Sequence, residues 1–148
     1  MAYRGKFRPK YPSKYKGNPT NIIYRSLWEL NCMKYFDLNP SILSWSSEEV
    51  IVPYKSPIDG RWHRYFPDFI IRVKNKNDQI ETIMIEVKPY AQTKEPKPKK
   101  RITKNYLYEV QEWGKNSSKW KAAQEFCADR KWKFMILTEK ELYGKKYK

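Results

Sequence analysis

The most constraining feature of this chain is a pair of apolar stretches joined by a turn signal. Arg61 to Val73 reads as a strand, Asn75-Lys76-Asn77-Asp78 turns it back, and Ile80 to Val87 alternates as the return strand. In the return strand Ile83 and Ile85 share one face, while Thr82, Met84 and Glu86 share the other. Together these segments predict a β-hairpin.

The flanking segments predict the elements around it. Ser26 to about Leu38 reads as a helix, opened by the capping-box pattern Ser26-Leu27-Trp28-Glu29 and stopped by Asn39-Pro40. Glu49 to Tyr54 reads as a short strand, and Pro57-Ile58-Asp59-Gly60 as a turn. After the hairpin, Tyr106, Leu107, Val110 and Trp113 form a helical stripe that Gly114-Lys115-Asn116 closes. Ser117 or Ser118 then caps a second helix to about Arg130, with Trp120, Ala123, Phe126 and Cys127 inward. Trp132 to Leu137 is a last strand, and Thr138 opens a short helix containing Leu142. Helix, three strands, helices, strand, helix is the order of an α/β domain with a mixed sheet flanked by helices.

Charge points to the partner. In 148 residues, 31 Lys and Arg face 16 Asp and Glu, a formal charge of +15, which favours nucleic acid first and an anionic membrane second. Arg4, Lys6, Arg8, Lys10, Lys14, Lys16 and Arg25 populate the first 25 residues with no acidic residue among them. Gly5, Pro9, Pro12, Gly17 and Pro19 break up that stretch, so residues 1–25 read as an extended basic arm that buries little. Residues 26–144 then form the folded domain and 145–148 a basic tail. A second basic cluster, Lys88 to Lys104, is made a loop by Pro89, Pro96 and Pro98. Lys6, Arg8, Lys10 and Lys14 in the arm, and Lys97, Lys99, Lys100 and Arg101 in the loop, are the candidate phosphate-binding residues. Tyr3, Tyr11, Tyr15 and Tyr147 fall in the tails and are candidates for stacking or docking.

Several classes are disfavoured. No apolar run approaches the roughly 18 residues of a membrane span, and no signal-peptide core follows the N-terminus. Cys32 and Cys127 imply no disulfide framework, so a reducing cytosol fits, and both read as small core residues. His63 is the single histidine, which argues against zinc. There is no G-x-S-x-G elbow and no phosphate-binding G-x-x-x-x-G-K-[ST] loop.

The hairpin carries the chemistry. Pro67-Asp68 sits inside its first strand and Glu86-Val87-Lys88 ends its second, with residues 69–85 between them. Side chains two apart on a strand share a face, so Glu86 and Lys88 emerge together, about 7 Å apart along the backbone. The simplest register brings Asp68 beside them. Two carboxylates and a lysine at one edge of a basic protein suit phosphodiester hydrolysis, because Mg²⁺ or Mn²⁺ takes one or two carboxylates plus water and phosphate. Glu29, on the first helix, is a further carboxylate, and Lys121 and Gln124 are candidates to line the phosphate path.

Each element also has a plain structural reading. Glu29 completes a capping box, Asp68 could pair with Lys88 as an ordinary salt bridge, and Glu86 with Lys88 could be a solvated cross-strand pair.

Glu29, Pro67-Asp68 and Glu86-Val87-Lys88 resemble the motif of the PD-(D/E)xK nuclease superfamily, and most closely its TnsA-type branch. A wider resemblance, to the head-completion nucleases of T-even-type tailed phages, runs over nearly the whole chain. It is carried by Met1-Ala2-Tyr3, Tyr24-Arg25-Ser26 with Trp28-Glu29, Glu86-Val87-Lys88-Pro89, Lys119-Trp120-Lys121-Ala122-Ala123-Gln124 and Ile136-Leu137-Thr138-Glu139. The resemblance implies a restriction-endonuclease-like core and a metal-dependent DNA nuclease. It implies Asp68, Glu86, Glu29 and the Val87 carbonyl as ligands of Mg²⁺ or Mn²⁺, with Lys88 acting at the water or the transition state. Its implied partners are double-stranded DNA and portal or neck proteins, with no membrane and no small-molecule cofactor. The implied setting is the virion head or neck, and host cytoplasm during assembly, after DNA packaging. A catalytically silent head-closure protein and a plain DNA-binding module are the alternatives.

Overall fold

The hairpin forms in the register its alternation requires. Strand β6 (Phe69–Lys74) pairs antiparallel with β7 (Ile80–Val87), Phe69 opposite Ile85 and Lys74 opposite Ile80. The Asn75 side chain organises the turn by accepting from the Asn77 and Gln79 N–H groups, and Asp78 takes a positive φ of 60°. These and the remaining elements come from a computed structural model that describes residues 4–143.

Four strands make the main sheet, in the order β3 (Ile42–Ser47), β6, β7, β8 (Lys133–Leu137), with β7 and β8 parallel and the rest antiparallel. Strand β3 is absent from the sequence-based expectation. Ser44, Ser46 and Ser47 are all buried in it, and three serines conceal the apolar alternation that marks a strand.

The strand expected over Arg61–Val73 is two strands. Pro67 has no N–H for a ladder and pushes Phe66 out of regular pairing, so β5 (Trp62–Tyr65) separates from β6 at Phe66-Pro67-Asp68. β5 instead pairs with β4 (Val52–Lys55) as a separate antiparallel ribbon closed by the predicted turn.

Helix α1 (Leu27–Leu38) starts as expected, the Ser26 hydroxyl accepting from the Glu29 N–H at 3.1 Å. The two helices expected after the basic loop are one, α2 (Lys104–Asp129), capped by Thr103. Gly114-Lys115-Asn116 does not end it. Asn116, Trp120, Ala123 and Cys127 are buried on one stripe, and tertiary burial overrides the weak helix preference of Gly, Asn and Ser. α3 (Glu139–Tyr143) follows β8, its start tied by Thr138 to Glu141.

The sheet has a core on each face. Phe36, Met33 and Cys32 of α1 pack with Trp45, Phe69, Ile71, Ile83 and Ile85 on one side. Trp120, Ala123 and Cys127 of α2 pack with Val52, Tyr54, Tyr65 and Met84 on the other. The alternation of β7 thus splits its residues between the two cores, and Glu86 goes with Met84 to the α2 side.

The N-terminal segment corrects the expectation of a free arm. β1 (Gly5–Phe7) pairs with β2 (Ile22–Tyr24), and Phe7, Tyr15 and Ile22 are buried in the α1-side core. Tyr15 packs edge-on to Trp45 at 4.7 Å, exchanges hydrogen bonds with the Ser47 backbone, and is therefore no stacking platform. The Lys16 N–H donates to the Trp45 carbonyl, so this segment covers the otherwise open edge of β3. Lys14 is likewise not free for phosphate: its ammonium donates to the Phe36, Asp37 and Asn39 carbonyls at 2.8 to 2.9 Å and closes the C-terminus of α1. Buried Asp37 accepts from the Lys10 and Tyr11 N–H groups at 2.7 and 3.1 Å. Tyr3, Tyr147 and the basic tail at 145–148 lie outside the described residues.

Candidate active site

The β6–β7 register sets Asp68 beside Glu86 where β6 begins and β7 ends. Asp68 Oδ2 accepts from the Val87 N–H at 2.7 Å, which fixes its carboxyl against the end of β7. One step beyond the Phe69–Ile85 pair, the register makes Asp68 and Glu86 cross-strand neighbours, and the Glu86 charge acts on the Asp68 carboxyl. Glu86 is buried, and its Oε1 accepts from the Tyr65 hydroxyl at 2.8 Å. Its Oε2 lies 3.8 Å from the Lys88 ammonium, and the Lys88 N–H is itself held by the Leu137 carbonyl on β8. The structural alternative for Asp68, a simple pairing with Lys88, is not what forms; the lysine pairs with Glu86.

Burial pushes the Asp68 carboxyl well above the ordinary carboxylate range, and the neighbouring Glu86 charge pushes it further, against the Val87 N–H bond. The Tyr65 hydroxyl is raised for the same two reasons, burial and the Glu86 carboxylate. Two neighbouring carboxyls at a largely buried position favour a proton or a cation beside them.

Glu29 enters from α1. Burial raises its pKa, the Arg25 N–H bond opposes this, and the Glu48 and Glu86 charges add to it. Its carboxylate accepts from the Arg25 N–H at 3.3 Å, one residue before the Ser26 N–H of a full capping box. Among the described residues no three His, Cys, Asp or Glu side chains converge to hold an ion, so Glu29 stands near the Asp68–Glu86 pair rather than within it. The pair offers Asp68 Oδ1 and, beside the Lys88 ammonium, Glu86 Oε2, with Val87 adjoining. That all-oxygen donor set fits Mg²⁺ or Mn²⁺, which take remaining positions from water and phosphate.

The α2 residue that faces this site is Lys119. Its ammonium lies 5.7 and 5.6 Å from the Tyr54 and Tyr65 rings, and burial lowers its pKa, helped by Lys115 and opposed by Glu86. Lys121 is exposed in a groove with Tyr54, Trp62 and Phe126, and Gln124 is exposed on the helix. Taking Trp120 and Ala123 as the buried stripe places Lys119 on one flank and Gln124 on the other. That arithmetic was open to the sequence. Tyr65 was not, because the break at Pro67 hides its return to Glu86.

Two further residues brace the site. Arg25 pairs with Glu48, whose φ is +54° and whose N–H donates to the Asp68 carbonyl at 3.2 Å. Lys97, Lys99, Lys100 and Arg101 are exposed, as are Lys6, Arg8 and Lys10. A cleft of about 550 Å³ opens between residues 91–97 and α2, lined by Lys94, Lys97, Tyr108, Glu112, Trp113 and Asn116. His63 pairs with Asp59 at 2.8 Å on the surface. Buried Cys32 and Cys127 have thiols pushed up to about 12 and about 11, which leaves them unreactive core residues.

A mixed sheet with helices on both faces, and a carboxylate pair and lysine at the hairpin end, define an endonuclease-type α/β fold. Residues 39–139 match the TnsA-like endonuclease N-terminal family, and the chain belongs to that family; its fold is restriction-endonuclease-like. The chain is also 40% identical over 143 residues to the head completion nuclease of Enterobacteria phage T4, covering 94% of this chain and 93% of that protein. The family match begins after Glu29, so only the longer similarity includes α1. No helix among the described residues is long and apolar enough to cross a membrane.

Proposed function

We propose that this chain is a divalent-metal-dependent DNA phosphodiester hydrolase that acts in phage head completion. The observation that carries the reading is the Asp68–Glu86 carboxyl pair held beside Lys88. Val87 N–H and Tyr65 O–H each engage one oxygen of the pair, and the second Glu86 oxygen lies 3.8 Å from the Lys88 ammonium. Asp68 and Glu86 would hold Mg²⁺ or Mn²⁺, with the Val87 carbonyl a further ligand and Glu29 a third carboxylate. Bound there, the ion stabilises charge on the phosphoryl oxygens and acidifies an attacking water. Lys88 neutralises charge developing on the phosphate, and Lys119 adds a second cation from the α2 side. Exposed cations of the 97–101 loop and of Lys6, Arg8 and Lys10 bind the DNA backbone without reading bases.

The phage T4 relative is named a head completion nuclease, which supports a nuclease role at the phage head; the reading adds double-stranded DNA in the filled head as substrate and portal or neck proteins as neighbours, in the virion and in host cytoplasm during assembly. Incubation of linear and circular DNA with Mg²⁺, Mn²⁺ or EDTA tests the reading and separates cutting at ends from internal cutting. Cleavage is expected with either metal and none in EDTA. Asp68→Ala and Lys88→Ala should each lower the rate by about 10²-fold or more, the usual cost of losing a preorganised charge. DNA retention without cleavage in every metal would make the protein a binding module. Loss of both, with retention on heads, would make it a structural closure protein.

A further inference from the structure

Beyond Lys88 the same edge of the sheet carries a second cationic cluster. Pro89 leads in extended backbone from Lys88 to Tyr90, at the start of a short 3-10 turn (Tyr90–Thr93). The Tyr90 ring has the Lys140 ammonium 3.4 Å from its centroid and the Lys94 ammonium 4.7 Å away. The neighbouring Lys94 and Lys140 ammonium groups lower the Tyr90 pKa. The Glu139 carboxylate accepts from the Tyr90 N–H at 2.7 Å, and neither Lys94 nor Lys140 forms an ion pair among the described residues.

Two like charges are thus gathered on one aromatic ring, and among the described residues neither ammonium has an ion-pair partner. An anion with several oxygens satisfies both ammonium groups at once and removes their repulsion. Two residue steps of extended backbone lead from Lys88 to Tyr90, about 7 Å, a span of one or two nucleotides given the axial rise of about 3.4 Å per nucleotide of one strand. Three anchors hold the cluster: the end of β7, the 3-10 turn and the start of α3.

We propose that Tyr90, Lys94 and Lys140 clamp a non-scissile phosphate of the strand being cut, one or two nucleotides from the bond held at Asp68, Glu86 and Lys88. The clamp rests on the hydrolase reading for what is cut, but not for what it binds. It fixes the register of the strand, so that a bound duplex presents a phosphodiester to the carboxyl pair instead of sliding past it.

The test has two arms on the full chain. In EDTA, binding to a labelled linear duplex is titrated over a salt series for wild type, Lys94→Gln/Lys140→Gln and Tyr90→Phe. The double variant should lower the salt slope by about one, as expected for one lost phosphate contact. Tyr90→Phe, which keeps the ring, should weaken binding with the slope retained. In Mg²⁺ or Mn²⁺, single-turnover cleavage is followed on duplexes carrying one neutral methylphosphonate at successive positions. Wild type should be slowed about 10-fold by a neutral linkage at one position within two nucleotides of the cut, a cost of the order of one charged hydrogen bond. The double variant should be equally slow already and insensitive there. An unchanged salt slope, or unchanged interference in the double variant with an unaltered thermal melt, overturns the clamp. A lowered slope with no cleavage by wild type overturns the hydrolase reading and leaves the phosphate site standing.

Discussion

Two basic segments, residues 4–25 and 88–104, look alike as sequence and behave in opposite ways. Each carries several cations interrupted by prolines and by at least one tyrosine. The first is welded to the domain: Phe7, Tyr15 and Ile22 enter the core, Lys14 closes α1, and the segment covers the edge of β3. The second has no buried side chain in its 3-10 turn, and its Lys97, Lys99, Lys100 and Arg101 are exposed. The difference teaches that a basic, proline-broken stretch is not an arm by composition. Apolar residues that find a core, and an acid such as Asp37 placed to collect loose N–H groups, decide whether its cations are structural or available.

The contrast can be broken in order of effect. Asp37→Ala should cost about 3 kcal/mol of stability, because two N–H groups lose a charged acceptor, read as a fall in urea midpoint; an unmoved midpoint would show the segment is not stapled there. Lys14→Met should cost about 2 kcal/mol by freeing three helix-end carbonyls, while leaving the salt dependence of DNA binding unchanged. A salt slope reduced by Lys14→Met would return that residue to the phosphate-binding set. Replacing Lys97, Lys99, Lys100 and Arg101 together with Gln should do the reverse. Stability should stay within about 0.5 kcal/mol, and DNA affinity should drop with a salt slope lowered by up to about four.

A smaller effect separates the site from both segments. Asp68 has a folded pKa raised above its unfolded value, so the folded state holds the extra proton, and stability falls as pH rises through that raised value. In EDTA, Asp68→Asn should therefore flatten the pH dependence and stabilise the protein on the alkaline side, even as it abolishes cleavage. Melting curves over a pH series would refute this if the two proteins ran parallel. Smallest is Gly114→Ala, where an added Cβ meets only Pro57 Cγ at 3.7 Å. A helical position should gain about 0.5 to 1 kcal/mol, and a loss would mean that α2 is interrupted there.

Much of the site was legible. The spacing of Asp68 and Glu86 across one turn fixed their meeting, since strand periodicity leaves little choice of register once Ile83 and Ile85 must face a core. Ser26 with Glu29 marked the start of α1 through a contact within one helical turn. Lys119 is within reach of helix geometry, flanking the buried Trp120 and Ala123 stripe. The serines of β3 gave no signal, because their burial depends on neighbours far along the chain.

Local order therefore came from the sequence itself: the hairpin and its register, the capped first helix, the excess of positive charge, and the carboxylate–lysine edge. These rest on periodicity and on contacts between near neighbours. Tertiary structure alone decided that the N-terminal cations divide into structural and free, that α2 runs unbroken past Gly114, and that Tyr65 returns to hold Glu86. Each of those depends on partners distant in sequence, whose proximity is created only when the two faces of the sheet are covered.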